Sequence, residues 1–188
     1  AEKRIFEISQ KRSASNFVPI RQIVLNAMDK IEEASRIKGN VTGLSTGFTD
    51  LDNRTAGLQP ADFILVAARP SMGKTELALD IIDKVTEQGR GVLLFTMEMA
   101  NIQIGERMVS AAGGMPVSRL KSVSNFGDED WARFIKGVEL MTGRNIWMVD
   151  QANLTIDEIC ATTKHHLIKH PETALVVVDY LGLIKTRT

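Results

Sequence analysis

The chain has 188 residues, 44% of them apolar, which is enough for one domain with a full core. Its 23 basic and 23 acidic residues cancel, so overall charge gives no sign of a nucleic-acid surface; such a face is local or absent. The single Cys160 excludes an internal disulfide framework and suits a reducing compartment, and no run approaches the roughly 18 apolar residues of a membrane span.

Residues 1–12 read as a short helix with an apolar patch of Ile5, Phe6 and Ile8. A helix this short is marginal alone. Pro19 separates it from a second helix over 20–37, where Ile20, Ile23, Val24, Ala27, Met28, Ile31 and Ala34 keep helical spacing. The stretch from Lys38 to Asp62 is rich in Gly, Thr, Asn and Asp, which predicts turns and one helical turn near 49–53.

Strand and helix signals then alternate. The apolar run FILVAA (63–68) predicts a strand buried on both faces. Residues 74–89 read as an amphipathic helix ended by Gly89. Runs at 91–97, 145–149 and within 174–184 predict three further strands. Helices are predicted at 101–112, at 128–142 and from a Thr155 cap to about His170. This alternation predicts an α/β fold, a central parallel sheet flanked by helices.

The segment AARPSMGKTELALD (67–80) sits where a strand meets a helix. It matches the end of the phosphate-loop pattern, Gly73-Lys74-Thr75, but Ala68 stands where the first glycine is usual. Backbone N–H groups and a helix N-terminus would face the phosphates. Lys74 has the charge and reach for the β and γ phosphates, and the Thr75 hydroxyl suits Mg²⁺. Ala at 68 is compatible if its φ is negative. Pro70 removes one N–H, so the loop differs inside from a glycine-rich one. The alternative is a chance Gly-Lys-Thr in a strand–turn–helix.

Asp179 ends the apolar run LVVV, at the carboxyl end of a strand, where ligands of open parallel sheets bind. It reads either as a metal-organising carboxylate or as an ordinary strand-end acid. Glu98 follows the second strand at the same edge. It reads either as the group that polarises an attacking water or as a solvated loop residue.

These segments together resemble the DnaB-type replicative DNA helicases. ARPSMGKT (68–75) is similar to that family's phosphate loop, MEM (97–99) to its Leu/Met-Glu-Met segment, and DYLGLI (179–184) to its Walker B segment. The lead-in to the loop is similar as well. The resemblance implies a RecA-like P-loop NTPase core, incomplete at its C-terminus and preceded by a linker helix. It divides the chain into a linker and connector (1–18) and a partial motor domain (19–188). Nucleotide binding then falls to Ala68, Arg69, Pro70, Ser71, Met72, Gly73, Lys74 and Thr75. Thr75 and Asp179 would organise Mg²⁺, Asp179 through water, and Glu98 would be the catalytic base beside Lys74.

The cofactors implied are ATP and Mg²⁺. The partners implied are a homohexamer, joined by residues 1–14 docking on a neighbouring subunit, together with single-stranded DNA, primase and a helicase loader. The implied location is the cytoplasm, of bacterial or phage origin. Gly182 departs from the family's usual Gln. The absence of an initiator Met and the stop soon after Asp179 suggest a piece of a longer protein. Two other readings stand beside this one. One is a RecA-like ATPase of the recombination or clock type, which shares the Thr46–Asp52 approach. The other is a non-catalytic helicase fragment that docks on intact subunits.

His166 and His170 lie one helical turn apart, but no third ligand accompanies them, so the sequence favours structure over zinc. Cys160, on a stripe with Ile156, Ile159, Thr163 and Leu167, is expected in the core. Met97, Met99, Met108 and Met115 are expected to pack, Trp131 and Trp147 to anchor core or interface, and Arg107 and Arg119 to form exposed ion pairs.

Overall fold

Three of the four predicted strands form one parallel sheet. The computed structural model describes residues 18–36, 41–69 and 71–185. The chain divides into two units, residues 1–42 and 43–188. Within the first, α1 (Ile20–Arg36) has the amphipathic spacing expected of 20–37. The patch of Ile5, Phe6 and Ile8, and the division proposed at 18, fall on or beside residues outside those described.

The second unit begins with the turn-rich approach. Leu44 and Leu58 exchange two backbone hydrogen bonds of 2.8 Å, closing the loop on itself. Between them runs α2 (Thr49–Thr55), the predicted helical turn. Asp52 is buried, and three donors offset the loss of water. Its carboxylate accepts from the Ser45 hydroxyl at 2.6 Å and from the Thr46 amide and hydroxyl at 2.9 and 2.7 Å. Burial pushes the Asp52 pKa up, but the hydrogen bonds from Ser45 and Thr46 outweigh it, so the net shift is down. The spacing from Thr46 to Asp52 thus has a structural role. It builds a rigid approach, which Gln88 ties to the next helix through the Ser45 carbonyl.

Then come α3 (Lys74–Glu87), β1 (Gly91–Thr96), α4 (Asn101–Gly113), α5 (Val117–Leu120), α6 (Asp128–Thr142), β2 (Ile146–Asp150), α7 (Ile156–Lys169) and β3 (Thr173–Asp179). The sheet order is β2-β1-β3, all parallel, with Thr96 level with both Asp150 and Asp179. The central strand is buried along its whole length. Alternation sorts its side chains to two faces. Val92 and Leu94 pack with Leu79, Ile82 and Val85 of α3 and Ile104 and Met108 of α4. Leu93 and Phe95 pack with Met97, with Leu154 and with Ile159, the last from α7. Helices therefore cover both faces, as the alternating pattern predicts. Burial of these side chains contributes about 1.5–3 kcal/mol each.

The helix boundaries follow local chemistry. Thr155 and Glu158 form a reciprocal capping box at the start of α7: Glu158 accepts from the Thr155 amide and its own amide donates to the Thr155 hydroxyl. At α6 the Asp130 carboxylate accepts from the Gly127 amide. Helices α4 and α6 cross closely at two buried glycines. A Cβ on Gly137 would run into the Val109 carbonyl, and one on Gly113 into that of Arg133.

Two expectations need correction. The run 63–68 is not a strand; residues 62–69 belong to no helix or strand, and Phe63 and Leu65 are 79% and 64% exposed. Apolar content gives strand propensity, but a strand also needs a neighbour for its N–H and C=O groups. Among the described residues β3 pairs only with β1, and no strand lies beside 62–69. Cys160 is exposed, not in the core. The buried side of α7 is centred on Ile159, and the next residue turns about 100° away from it. The expectations for the methionines and for the two arginines hold. Met97, Met108 and Met115 are buried, Met99 packs on the core, Arg107 pairs with Glu76 and Arg119 with Asp130. Trp147 packs in the core and Trp131 stays exposed beside Phe126 and Phe134.

Candidate nucleotide site

The site forms where α3 begins beside the end of β3. The turn that leads into α3 needs left-handed backbone at two places, Ser71 (φ 63°) and Gly73 (φ 84°). Glycine adopts that conformation freely, which is why the pattern keeps it at 73. Ala68 is not among the residues with positive φ, so alanine is unstrained where the first glycine is missing. Pro70 lies outside the described residues. Arg69, Ser71 and Met72 are exposed along the loop, and the Met72 amide donates to the Arg69 carbonyl at 3.3 Å.

Lys74 and Thr75 are the first two residues of α3, so their amides lie in the first turn, where backbone N–H groups lack helical partners. That turn carries the positive end of the helix dipole. Both side chains converge on Asp179. The Thr75 hydroxyl donates to one carboxylate oxygen at 2.8 Å, and the Lys74 ammonium lies 3.0 Å from the other. Asp179 is 7% exposed, so this contact is largely withdrawn from water. On its other side the Lys74 ammonium sits 4.2 Å from the centroid of the Tyr180 ring.

Glu98 stands exposed in the loop after β1, and that loop is fixed at three points. The Met97 amide donates to the Asp179 carbonyl at 2.9 Å. The Thr96 hydroxyl donates to the Met99 carbonyl at 2.5 Å. The Asp150 carboxylate accepts from the Asn101 amide at 3.0 Å. Lys74, Thr75, Asp179 and the Glu98 loop are thus brought to one edge of the sheet. Sequence reading missed Tyr180, Thr96 and Asp150. Only their positions, each at or next to a strand end, pointed to them.

The donor set fits a magnesium nucleotide. A hydroxyl and a carboxylate are hard oxygen ligands, and Mg²⁺ takes one or two of these with water and substrate phosphates. Among the described residues no three His, Cys, Asp or Glu side chains form a dedicated metal cage. His166, His170 and Trp147 instead pack against one another with ring centroids 4.2–4.8 Å apart, the two imidazoles stacked and the indole edge-on to His166.

A parallel sheet covered on both faces, with a Gly-Lys-Thr turn entering a helix beside a strand-end aspartate, defines a RecA-like ATPase core. The comparisons narrow the class: residues 43–188 match the DnaB-like helicase C terminal domain, and the chain belongs to that family. Replicative DNA helicase DnaC of Bacillus subtilis is 36% identical across 98% of this chain. Replicative DNA helicase DnaB of Pasteurella multocida is 35% identical across the same share. The chain spans about two fifths of the length of these relatives, 40% and 41%. Among solved structures, one described as an ATPase domain superposes with a TM-score of 0.83 at 31% identity, covering 90% of this chain and 60% of that one. A DnaB-like replicative helicase, described with its interactions with primase, gives a TM-score of 0.80 at 29% identity, covering 100% of this chain and 49% of that one.

Proposed function

We propose that this chain is the nucleotide-hydrolysing part of a replicative DNA helicase, working as a hexameric ring that couples ATP hydrolysis to movement on single-stranded DNA. The observation that carries the reading is the meeting of Lys74, Thr75 and Asp179 at the N-terminus of α3. Lys74 leaves Asp179 to neutralise charge on the β and γ phosphates of ATP, and the loop 68–75 wraps them. Thr75 and Asp179 would hold Mg²⁺, which when bound offsets the charge that develops on the phosphates. Glu98 accepts a proton from the attacking water, oriented by a loop anchored to Asp179 itself.

Residues 1–14 are proposed to dock on a neighbouring subunit, with primase and a loader as further partners. The primase link is described for the structural neighbour. Among the described residues no helix is long and apolar enough to cross a membrane, and cytoplasmic work on DNA is part of the proposal. The test is ATPase and unwinding activity of the intact protein, with and without Lys74→Ala. DNA-stimulated hydrolysis lost in the variant supports the reading; equal hydrolysis in both overturns it.

A further inference from the structure

We propose that Tyr180 is a positioning residue of this site. Its ring holds the Lys74 ammonium on Asp179 while no phosphate is bound, and Gly182 provides the room that the ring needs. The proposal rests on the nucleotide reading above and assigns a residue which that reading does not use.

Three observations support it. The Lys74 ammonium has two neighbours at once, the Asp179 carboxylate at 3.0 Å and the Tyr180 ring face at 4.2 Å to its centroid. A cation over an aromatic face is attracted by the ring quadrupole, so the ring favours the same lysine position as the carboxylate. The second is the turn Leu181–Leu183, closed by the Leu183 amide on the Tyr180 carbonyl at 3.2 Å, which folds Gly182 back under the ring. The third is the space itself. A Cβ at Gly182 would lie 2.6 Å from Tyr180 Cε2 and 3.2 Å from Cδ2. Gly182 has no left-handed φ, so what its missing side chain supplies is room for the ring, not backbone freedom.

The consequence follows from population arithmetic. Lys74 cannot serve Asp179 and a γ phosphate together. Any contact that holds it on Asp179 in the empty site is therefore subtracted from nucleotide affinity. A partly exposed cation–π contact corresponds to about a two- to fivefold change in an equilibrium constant. Tyr180 thus keeps the lysine in register and lowers affinity by that factor. Weaker retention also helps product leave.

The test is an equilibrium titration of the intact protein with a fluorescent, non-hydrolysable ATP analogue and Mg²⁺. Tyr180→Leu removes the ring face and should bind about two- to fivefold more tightly. Gly182→Gln pushes the ring aside from below and should do the same. Tyr180→Phe keeps the face and should retain the original affinity. A merely damaged site would bind more weakly, so tightening is a readout that loss of structure does not mimic. Unchanged or weaker binding in Tyr180→Leu and Gly182→Gln, with normal binding in the parent and in Tyr180→Phe, overturns the proposal and leaves the nucleotide reading intact. Absence of binding in the parent overturns both.

Discussion

Thr75 donates its hydroxyl hydrogen to Asp179 at 2.8 Å, joining residues 104 positions apart. Asp179 is not polar by accident of surface exposure, since it is buried at the end of an apolar strand. A buried carboxylate needs partners, and here both partners belong to the loop that would hold phosphate. Asp179→Asn keeps the shape and removes the charge. It should leave nucleotide affinity within about threefold while lowering hydrolysis by roughly 10²–10³, the scale of losing one electrostatic stabiliser of the transition state. Steady-state turnover beside an equilibrium titration checks this. Parallel losses in both would mean that Asp179 only holds the loop.

Glu98 is set apart from the Asp179 contact yet mechanically tied to it. Its loop is pinned by Met97 to the Asp179 carbonyl, by Thr96 to Met99 and by Asp150 to the start of α4. A base held this way should matter for the chemical step alone. Glu98→Gln is expected to bind ATP normally and to lose about 10²–10⁴ in turnover, the usual contribution of a positioned base. Single-turnover hydrolysis separates binding from chemistry. Wild-type turnover in the variant would remove Glu98 from the mechanism.

Much of this was legible in the sequence because it depends on local pattern. Helix spacing, the Thr155 cap and the apolar runs of β1, β2 and β3 are all near-neighbour signals, and the structure follows them. The meeting of Lys74 and Thr75 with Asp179 was legible because a helix start and a strand end at the carboxyl edge of a parallel sheet come together. What did not show was set by partners distant in sequence. The run 63–68 has the composition of a strand but no neighbour among the described residues, so propensity misread it. Cys160 sits on a plausible stripe, yet the sheet contacts α7 through Ile159 instead. Tyr180 joins the site through the direction of its side chain after β3, which spacing alone does not reveal.

The crossing of α4 and α6 gives a stability prediction with an internal control. Gly137→Ala places a methyl against the Val109 carbonyl, an atom that cannot yield without moving the helix. Alanine improves helix propensity by about 1 kcal/mol, but overpacking a helix crossing costs about 1–3 kcal/mol, so the net change should be a loss. Gly105 lies within α4 with nothing within 4 Å of its would-be Cβ. Gly105→Ala should therefore stabilise by about 0.5–1 kcal/mol. Thermal melts of the two variants should move in opposite directions. A shift in the same direction would show that the close approach at Gly137 does not set the packing.

The packed rings at the other end of the sheet predict a pH dependence. His166 packs on Trp147 and His170, and its Nε2 lies 3.0 Å from the Thr173 hydroxyl. Burial lowers the His166 pKa, the nearby His170 lowers it further, and Glu172 opposes both. A histidine with a depressed folded pKa binds protons more readily when unfolded, so acid favours unfolding. The stability it protects is fully present above its ordinary value of 6.5 and falls as the pH drops through that value toward the lower folded one. The carboxylates with lowered pKa, Asp52, Glu87, Asp130 and Glu158, act only nearer and below their ordinary values of 3.8 to 4.5. Between about pH 5 and 7 the dependence should therefore trace to His166. Urea unfolding midpoints across that range should rise with pH in the parent and lose most of that slope in His166→Gln. An undiminished slope in the variant would assign the dependence to other groups.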